Sequence, residues 1–488
     1  QIIDQLEVFT KEFVSNLDEQ RRAGPCDGGP CILPVVVHVI YDGSFDANEN
    51  ISYEQIDHGI YRINEDLQGQ NTDDLEEVLD EFQDIIGGFE SGDIELRLAK
   101  KDPEGNCTYG VTRTISVFTE QANSYRIKSL INWPSSRYIN IYVVRSFEPS
   151  MSFAAAYATR PGMGGWLGDH IFCRYDYFGD WGTSPSGNGF PTNQTGPRHT
   201  MPHEVGHFFN LIHPWGPTND PGLPDNCSTD DEVEDTPPTI GTYGSCPLTQ
   251  ATCTPEGEVE GAGAELDNVQ NIMDYASCGI HFTKGQIDRM TAALNSEIGF
   301  RKNLWQSENL ELTGTDDANF YDDNRYAQCK PKAEFPLGSL VACASTEIEL
   351  STYVWNVRDD VDVDYHWTFP ANENGVAGEL ISQDDNSGKA YVSYSEIGVY
   401  DVELEVCRAG TDVCESRTFT NYITVVSNAG IEQLNIDVDG DGIANVVDDD
   451  IDGDGTPNDA DNDRDNDGIG NEDDTSPDGT VMLFSEDF

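Results

Sequence analysis

His203-Glu204-Val205-Gly206-His207-Phe208-Phe209-Asn210-Leu211-Ile212-His213 carries more chemistry than any other part of the chain. Two histidines four residues apart lie one above the other on one face of a helix, so both imidazoles reach a single ion while Glu204 sits beside them. A third imidazole, six residues past His207, cannot share that face. The chain must turn sharply in between, at a residue that accepts a positive φ. Asn210 is suited to it, because asparagine tolerates the left-handed conformation best after glycine. The spacing predicts one three-nitrogen zinc site, formed by His203, His207 and His213, with an open position for water and Glu204 as the base that deprotonates it.

A second signature lies downstream, Asn271-Ile272-Met273-Asp274-Tyr275, followed by His281-Phe282-Thr283-Lys284-Gly285-Gln286-Ile287-Asp288-Arg289-Met290. Together the two segments resemble the metzincin metallopeptidases, whose long motif HExxHxxGxxH appears here with Asn210 at the glycine position and whose Met-turn follows. Within that clan the layout is most similar to the pappalysin family of secreted bacterial type. The resemblance implies an α+β catalytic domain with a twisted mixed sheet, a zinc helix and a Met-turn, and the hydrolysis of peptide bonds in protein or peptide substrates. In that scheme Glu204 is the general base and Tyr275 helps the ion hold the oxyanion. Met273 is a hydrophobic floor and not a ligand. The resemblance further implies the disulfides Cys227–Cys253 and Cys246–Cys278, and it puts the strand that pairs with an extended substrate at 168–175.

Composition narrows the alternatives. The 89 acidic against 27 basic side chains give a net charge of -62, a surface that repels nucleic acid and anionic membranes and attracts divalent cations. No run of about 20 apolar residues is present, so a membrane-spanning helix is excluded. Gln1-Ile2-Ile3-Asp4 lacks the basic and apolar regions of a secretory signal, which is expected to have been removed already. Twelve cysteines fit an oxidising compartment, hence a secreted or cell-surface protein.

At 488 residues several domains are expected. Residues 1–31 read as an N-terminal extension or propeptide remnant with helical spacing of Ile3, Leu6, Val8, Phe9, Phe13 and Leu17, and Arg21-Arg22 as a cleavage point. In relatives such a segment blocks the zinc, which makes Cys26 or Asp27 a latency ligand; a Cys26–Cys31 loop disulfide is the competing reading. The catalytic domain is set at 32–305. It opens on Leu33-Pro34-Val35-Val36-Val37-His38-Val39-Ile40-Tyr41, a β-branched run expected of a strand covered on both faces. An amphipathic helix with Ser52 as N-cap, and strands at 94–99 and 138–144, come next. The irregular segment 214–271 is pinned by cysteines. Its Asp225, Asp230, Asp231, Glu232, Glu234 and Asp235 suggest a structural calcium site, with a solvated acidic loop as the alternative.

Residues 306–330 read as a polar linker. Over 331–427 period-two segments such as Tyr365-His366-Trp367-Thr368-Phe369 and Gly398-Val399-Tyr400-Asp401-Val402-Glu403-Leu404-Glu405-Val406 predict an all-β sandwich. It resembles the PKD-like module of secreted bacterial hydrolases, with Cys407–Cys414 and Cys329–Cys343 as candidate loop closures. Over 435–478 carboxylates recur at every second position with glycine at the bends, which lets short loops wrap oxygen atoms around a hard cation. Asp437, Asp439, Asp441, Asp452, Asp454, Asp461, Asp463, Asp465 and Asp467 are the expected calcium ligands. The spacing resembles thrombospondin type 3 repeats, an irregular rod when loaded, and 479–488 reads as the start of a further segment. These C-terminal modules fit either of two roles, attachment to a cell surface or matrix, or a spacer. The rival reading of the whole chain is a calcium-rigidified adhesion or surface-binding protein with an inactive or latent peptidase domain.

Overall fold

A computed structural model describes residues 2–17, 26, 31–44, 47–90, 93–184, 196–253, 265–317, 320–321, 328–335, 340–358, 361–372, 374–384, 387–426, 451, 456–458, 461 and 464. The chain divides into two compact units. One comprises Gln1–Lys330 with Trp355–Asp360, the other Pro331–Val354 with Val361–Phe488.

The first unit is built around strand β1, Cys31–Tyr41, whose eleven residues are all buried. The reason is visible in the pairing. Strands β2 (Ile94–Leu98) and β3 (Val111–Ile115) lie parallel to its successive halves, and β4 (Ile139–Val144) runs parallel along it. Strand β6 (Ile171–Arg174) extends the sheet in parallel, and β5 (Ala156–Ala158) closes it antiparallel, giving the order β2-β1-β4-β6-β5 with β3 on β1. This corrects the expectation that 168–175 forms the free edge. Ile171–Arg174 is paired on both sides, and the short Ala156–Ala158, inconspicuous in sequence because three residues show no periodicity, is the edge strand.

Helix α1 (Ile2–Ser15) buries Leu6 and Thr10 and leaves Val8 exposed. Helix α2 (Tyr53–Leu67) begins at Ser52, whose hydroxyl accepts from the Gln55 amide, and buries Ile56, Ile60, Ile63 and Leu67 as their spacing requires. Helix α3 is Thr200–Phe208, and α4 (Lys284–Leu294) starts with a reciprocal capping box between Thr283 and Gln286. One core joins β1 residues Leu33, Val35, Val37 and Val39 to Met201, Val205 and Phe208 of α3 and to Met273 and Met290. The expected linker holds a further helix, α5 (Ser307–Thr313), which buries Asn309, Leu310 and Thr313. Its C-terminal Thr313 carbonyl accepts from the amides of Lys100 and Lys101.

Cys329 pairs with Cys107 across 222 residues, and Cys343 is a free thiol, which overturns the Cys329–Cys343 loop. Proximity in sequence favoured the short loop, but the fold carries Cys329 back to the first unit. Cys26 is joined to Cys31 and so is no latency ligand; Asp27 lies outside the described residues. Among the described residues no helix is long and apolar enough to cross a membrane.

In the second unit a four-stranded sheet runs β7 (Leu340–Cys343), β13 (Cys414–Val426), β12 (Gly398–Arg408), β9 (Val363–Thr368), and a three-stranded sheet runs β8 (Ile348–Leu350), β11 (Lys389–Ser393), β10 (Glu379–Asp384). Alternate residues of both sheets, among them Trp367, Val402, Leu404, Val406, Ala390, Val392, Ile348 and Leu350, form one core. The β12–β13 hairpin is closed by Cys407–Cys414. Of the expected calcium ligands only Asp461 falls among the described residues; Asp437, Asp439, Asp441, Asp452, Asp454, Asp463, Asp465 and Asp467 lie outside them.

Candidate metal centre

Helix α3 ends one residue after His207, and the way it ends places the third histidine. The Leu211 amide donates to the Gly206 carbonyl and the Asn210 amide to that of His207, the two bonds of a Schellman motif with Asn210 in the left-handed position at φ 75°. The chain reverses and His213 comes back beside the first two. His203, His207 and His213 offer ring nitrogens that all lie within 4.8 Å of one another.

The rings are held from behind. Nδ1 lies 2.7 Å from the Ile272 carbonyl in His203, 2.9 Å from that of Leu211 in His207, and 2.9 Å from that of Thr218 in His213. A carbonyl only accepts, so each Nδ1 carries the proton and each Nε2 presents a lone pair. Nε2 of His207 and of His213 then face each other at 3.1 Å, lone pair against lone pair. Protonation does not relieve this. Burial, reinforced by the other imidazoles, holds His207 well below the usual range, burial and His203 hold His213 at about 3, and burial alone holds His203 at about 4. A cation does relieve it. Two nitrogens about 2.0–2.1 Å from a tetrahedral zinc stand roughly 3.3 Å apart, close to the observed spacing.

Glu204 adds the second half of the fit. It is buried, and its Oε2 makes no hydrogen bond among the described residues. Burial pushes the carboxyl up to about 8; a nearby cation is what returns such a group to its charged form. Three converging lone pairs beside a buried carboxylate with an uncommitted oxygen suit a divalent metal, and imidazole nitrogens suit zinc.

Met273 is fully buried beneath the helix, and a Cβ at Gly206 would stand 2.5 Å from its Sδ. The turn that delivers it is tied down by Asn271. That side chain accepts from the Met273 amide at 2.8 Å and exchanges two hydrogen bonds with Gln286 at the start of α4. The same turn supplies the Ile272 carbonyl that orients His203. The Tyr275 ring stands 4.7 Å from His213 and 5.5 Å from His203.

Three contributors escape a motif-based reading. Gly206 is an unnamed position in the motif, yet it is the contact for Met273. The Ile272, Leu211 and Thr218 carbonyls are backbone groups and leave no mark in composition. Trp215 is buried and stacks on His213 with ring centroids 4.4 Å apart, and its indole shares the Thr218 carbonyl with that histidine. A tryptophan two residues past a ligand was the available signal. In the segment 214–271, Cys227 joins Cys253 and Cys246 joins Cys278. Asp235, one of the acidic cluster, instead accepts from Thr283 Oγ1 and the Gly285 amide at the start of α4.

Residues 123–295 match the family model described as Pregnancy-associated plasma protein-A, peptidase M43. The chain is 34% identical over 114 residues to an extracellular metalloprotease of Arthroderma otae, covering 23% of this chain and 36% of that relative. It is 38% identical over 94 residues to one of Arthroderma benhamiae, covering 19% and 28%. It thus spans about a third of the length of these relatives. Mature mirolysin of Tannerella forsythia, solved with a cleaved peptide, is similar at 29% identity and a TM-score of 0.46, covering 58% of this chain and 98% of that one.

Proposed function

We propose that this chain is a secreted zinc endopeptidase of the pappalysin type. One observation carries the reading: three imidazoles, each with Nδ1 committed to a backbone carbonyl, turn their Nε2 lone pairs on one point beside a buried carboxylate with a free oxygen. His203, His207 and His213 would hold the ion. Zinc bound there supplies a Lewis acid that acidifies water and polarises a scissile carbonyl. Glu204, with a carboxylate oxygen committed to no other partner, takes the proton of the attacking water and passes it to the leaving amine. Tyr275, its ring against His213, is the candidate donor to the developing oxyanion, and Met273 supports the rings from below.

The edge strand β5 accounts for substrate binding. Ala155 and Thr159 bond β6 through the Arg174 amide and the His170 carbonyl, so by the period of two the backbone groups of Ala156 and Ala158 face outward. An extended peptide adds there as another strand, its main chain supplying affinity.

The second unit is read as a PKD-like β-sandwich that tethers or spaces the peptidase, and 435–478 as a calcium-loaded rod of thrombospondin type 3 repeats. Calcium should protect this region from an added protease, and a chelator should expose it; identical fragment patterns with and without calcium count against the rod.

The test of the central reading is Glu204→Ala. The variant should retain one zinc per chain by atomic emission and lose peptide hydrolysis by a factor of at least about 10²–10⁴, the range of a general base. Full activity in that variant sinks the mechanism, and absence of zinc from the unaltered protein sinks the metal centre.

A further inference from the structure

Helix α1 does not lie apart from the centre. Glu7 Oε1 accepts from Arg160 Nη2 at 2.7 Å and from Arg289 Nη2 at 2.5 Å. Both arginines grip the same residue, Asn210. Nε and Nη2 of Arg160 donate to Asn210 Oδ1 at 3.1 and 2.6 Å, and Arg289 Nε donates to the Asn210 backbone carbonyl at 2.9 Å. Asn210 Nδ2 donates in turn to Thr10 Oγ1 of α1 at 3.4 Å. Asn210 is wholly buried, as nearly is Arg289, and Asn210 is the left-handed residue that swings His213 round to His207.

We propose that Glu7 of α1 is a positioning residue for the metal centre: through Arg160 and Arg289 it locks Asn210 and thereby sets the placement of His213 relative to His207. The chemistry explains the asparagine. Glycine would make the same turn at less cost, but only a side-chain amide can be held from both sides, by a guanidinium on one and by α1 on the other. Glu7 is indispensable to that grip because two guanidiniums converge on one neutral residue, one on its side chain and one on its backbone carbonyl, and share this one carboxylate oxygen. Without its charge they repel across a buried space. The N-terminal helix then acts as a brace for the metal turn rather than as a plug of the cleft.

This inference rests on the metal reading above, so the test measures metal affinity and geometry as well as turnover. Zinc dissociation constants are taken by competition with a chromophoric chelator, and cobalt-loaded protein is examined by visible absorption, for the full chain and for Glu7→Gln, Glu7→Ala, Asn210→Gly, the Glu7→Ala/Asn210→Gly pair and Lys11→Ala. Lys11 sits on the same helix but pairs at the surface with Glu232 at 2.7 Å, so it controls for loosened docking of α1. The expected result is a roughly tenfold weaker zinc constant in both Glu7 variants, at the low end for groups acting through a ligand's neighbours, with an altered cobalt spectrum. Lys11→Ala should stay within about twofold. The effects of Glu7→Ala and Asn210→Gly should be less than additive in the pair, since both break one network. Glu7 variants that bind zinc as the unaltered chain does, or Lys11→Ala losing affinity equally, would overturn the brace. If the unaltered chain binds zinc and cleaves peptide in either case, the proposed function stands without it.

Discussion

Gly206 shows how tightly the centre is packed at the scale of one residue. It faces Met273 so closely that an added methyl would meet the sulfur at 2.5 Å, and helix α3 is tied to the turn that carries Met273 by the bond between His203 and the Ile272 carbonyl. Methionine is flexible enough to yield in part. Gly206→Ala should therefore cost about 1–3 kcal/mol, the usual penalty of overpacking, despite alanine being the better helix former. Urea denaturation checks this, and an alanine variant as stable as the unaltered chain would mean that the floor is loose. The ligands themselves were legible because their spacing is a helical period plus a turn. Asn210 was legible as a turning residue from its tolerance of positive φ, and φ 75° agrees. Its gripping arginines were not, since Arg160 and Arg289 lie 50 and 79 residues from it and no local pattern links them.

At the scale of elements, the parts that sequence disclosed are those with a period. β1 reads as a doubly covered strand because it is continuously apolar, and α2 reads as a helix because its apolar residues recur on one face. The edge strand β5 was hidden because three residues cannot show an alternation, and the helix Ser307–Thr313 because its sequence is largely polar and its burial is supplied by distant chain, β1 and the Arg137 carbonyl among it. The Met-turn depends on a cross-link the pattern could only suggest. Cys278 lies five residues past Met273 and is bonded to Cys246 across 32 residues. Closing a loop of that size restrains the unfolded chain by about 3–4 kcal/mol in the chain-entropy account. Replacing both cysteines by serine should lower the denaturation free energy by about that amount and raise zinc loss to a chelator, because the Ile272 carbonyl that orients His203 rides on the same turn. Calorimetry with zinc titration checks both; lowered stability with unchanged zinc affinity would show that the turn holds its shape without the bridge.

At the scale of the whole molecule, the larger unit buries titrating groups of both kinds, and they limit its stability from opposite sides of the pH scale. Burial holds His38, His170, His203 and His281 at about 4 and His213 at about 3, and keeps His207 well below the usual range. Burial pushes Glu204, Asp231 and Asp274 up to about 8. A histidine with a depressed folded pKa binds fewer protons folded than unfolded, so stability falls as pH drops from about 6.5 toward 4. A carboxyl with a raised folded pKa keeps a proton that the unfolded chain has lost, so stability falls as pH climbs from about 4.5 toward 8. In chelated protein the unfolded chain takes up protons at these six histidines on the acid side, while the folded chain holds protons at Glu204, Asp231, Asp274 and Asp66, the last also raised by burial. The two terms oppose each other, so stability peaks between the acid limb set by the histidines and the alkaline limb set by the raised carboxyls. Zinc should raise the whole curve without flattening its acid limb, because unfolding releases the ion and exposes the same three imidazoles to protons. It should also ease the alkaline limb by returning Glu204 to its charged form. Melting temperatures of chelated and zinc-loaded protein between pH 4.5 and 8.5 decide the matter, and a chelated protein that gains stability as the pH falls from 6.5 to 5 would contradict the neutral burial of these histidines.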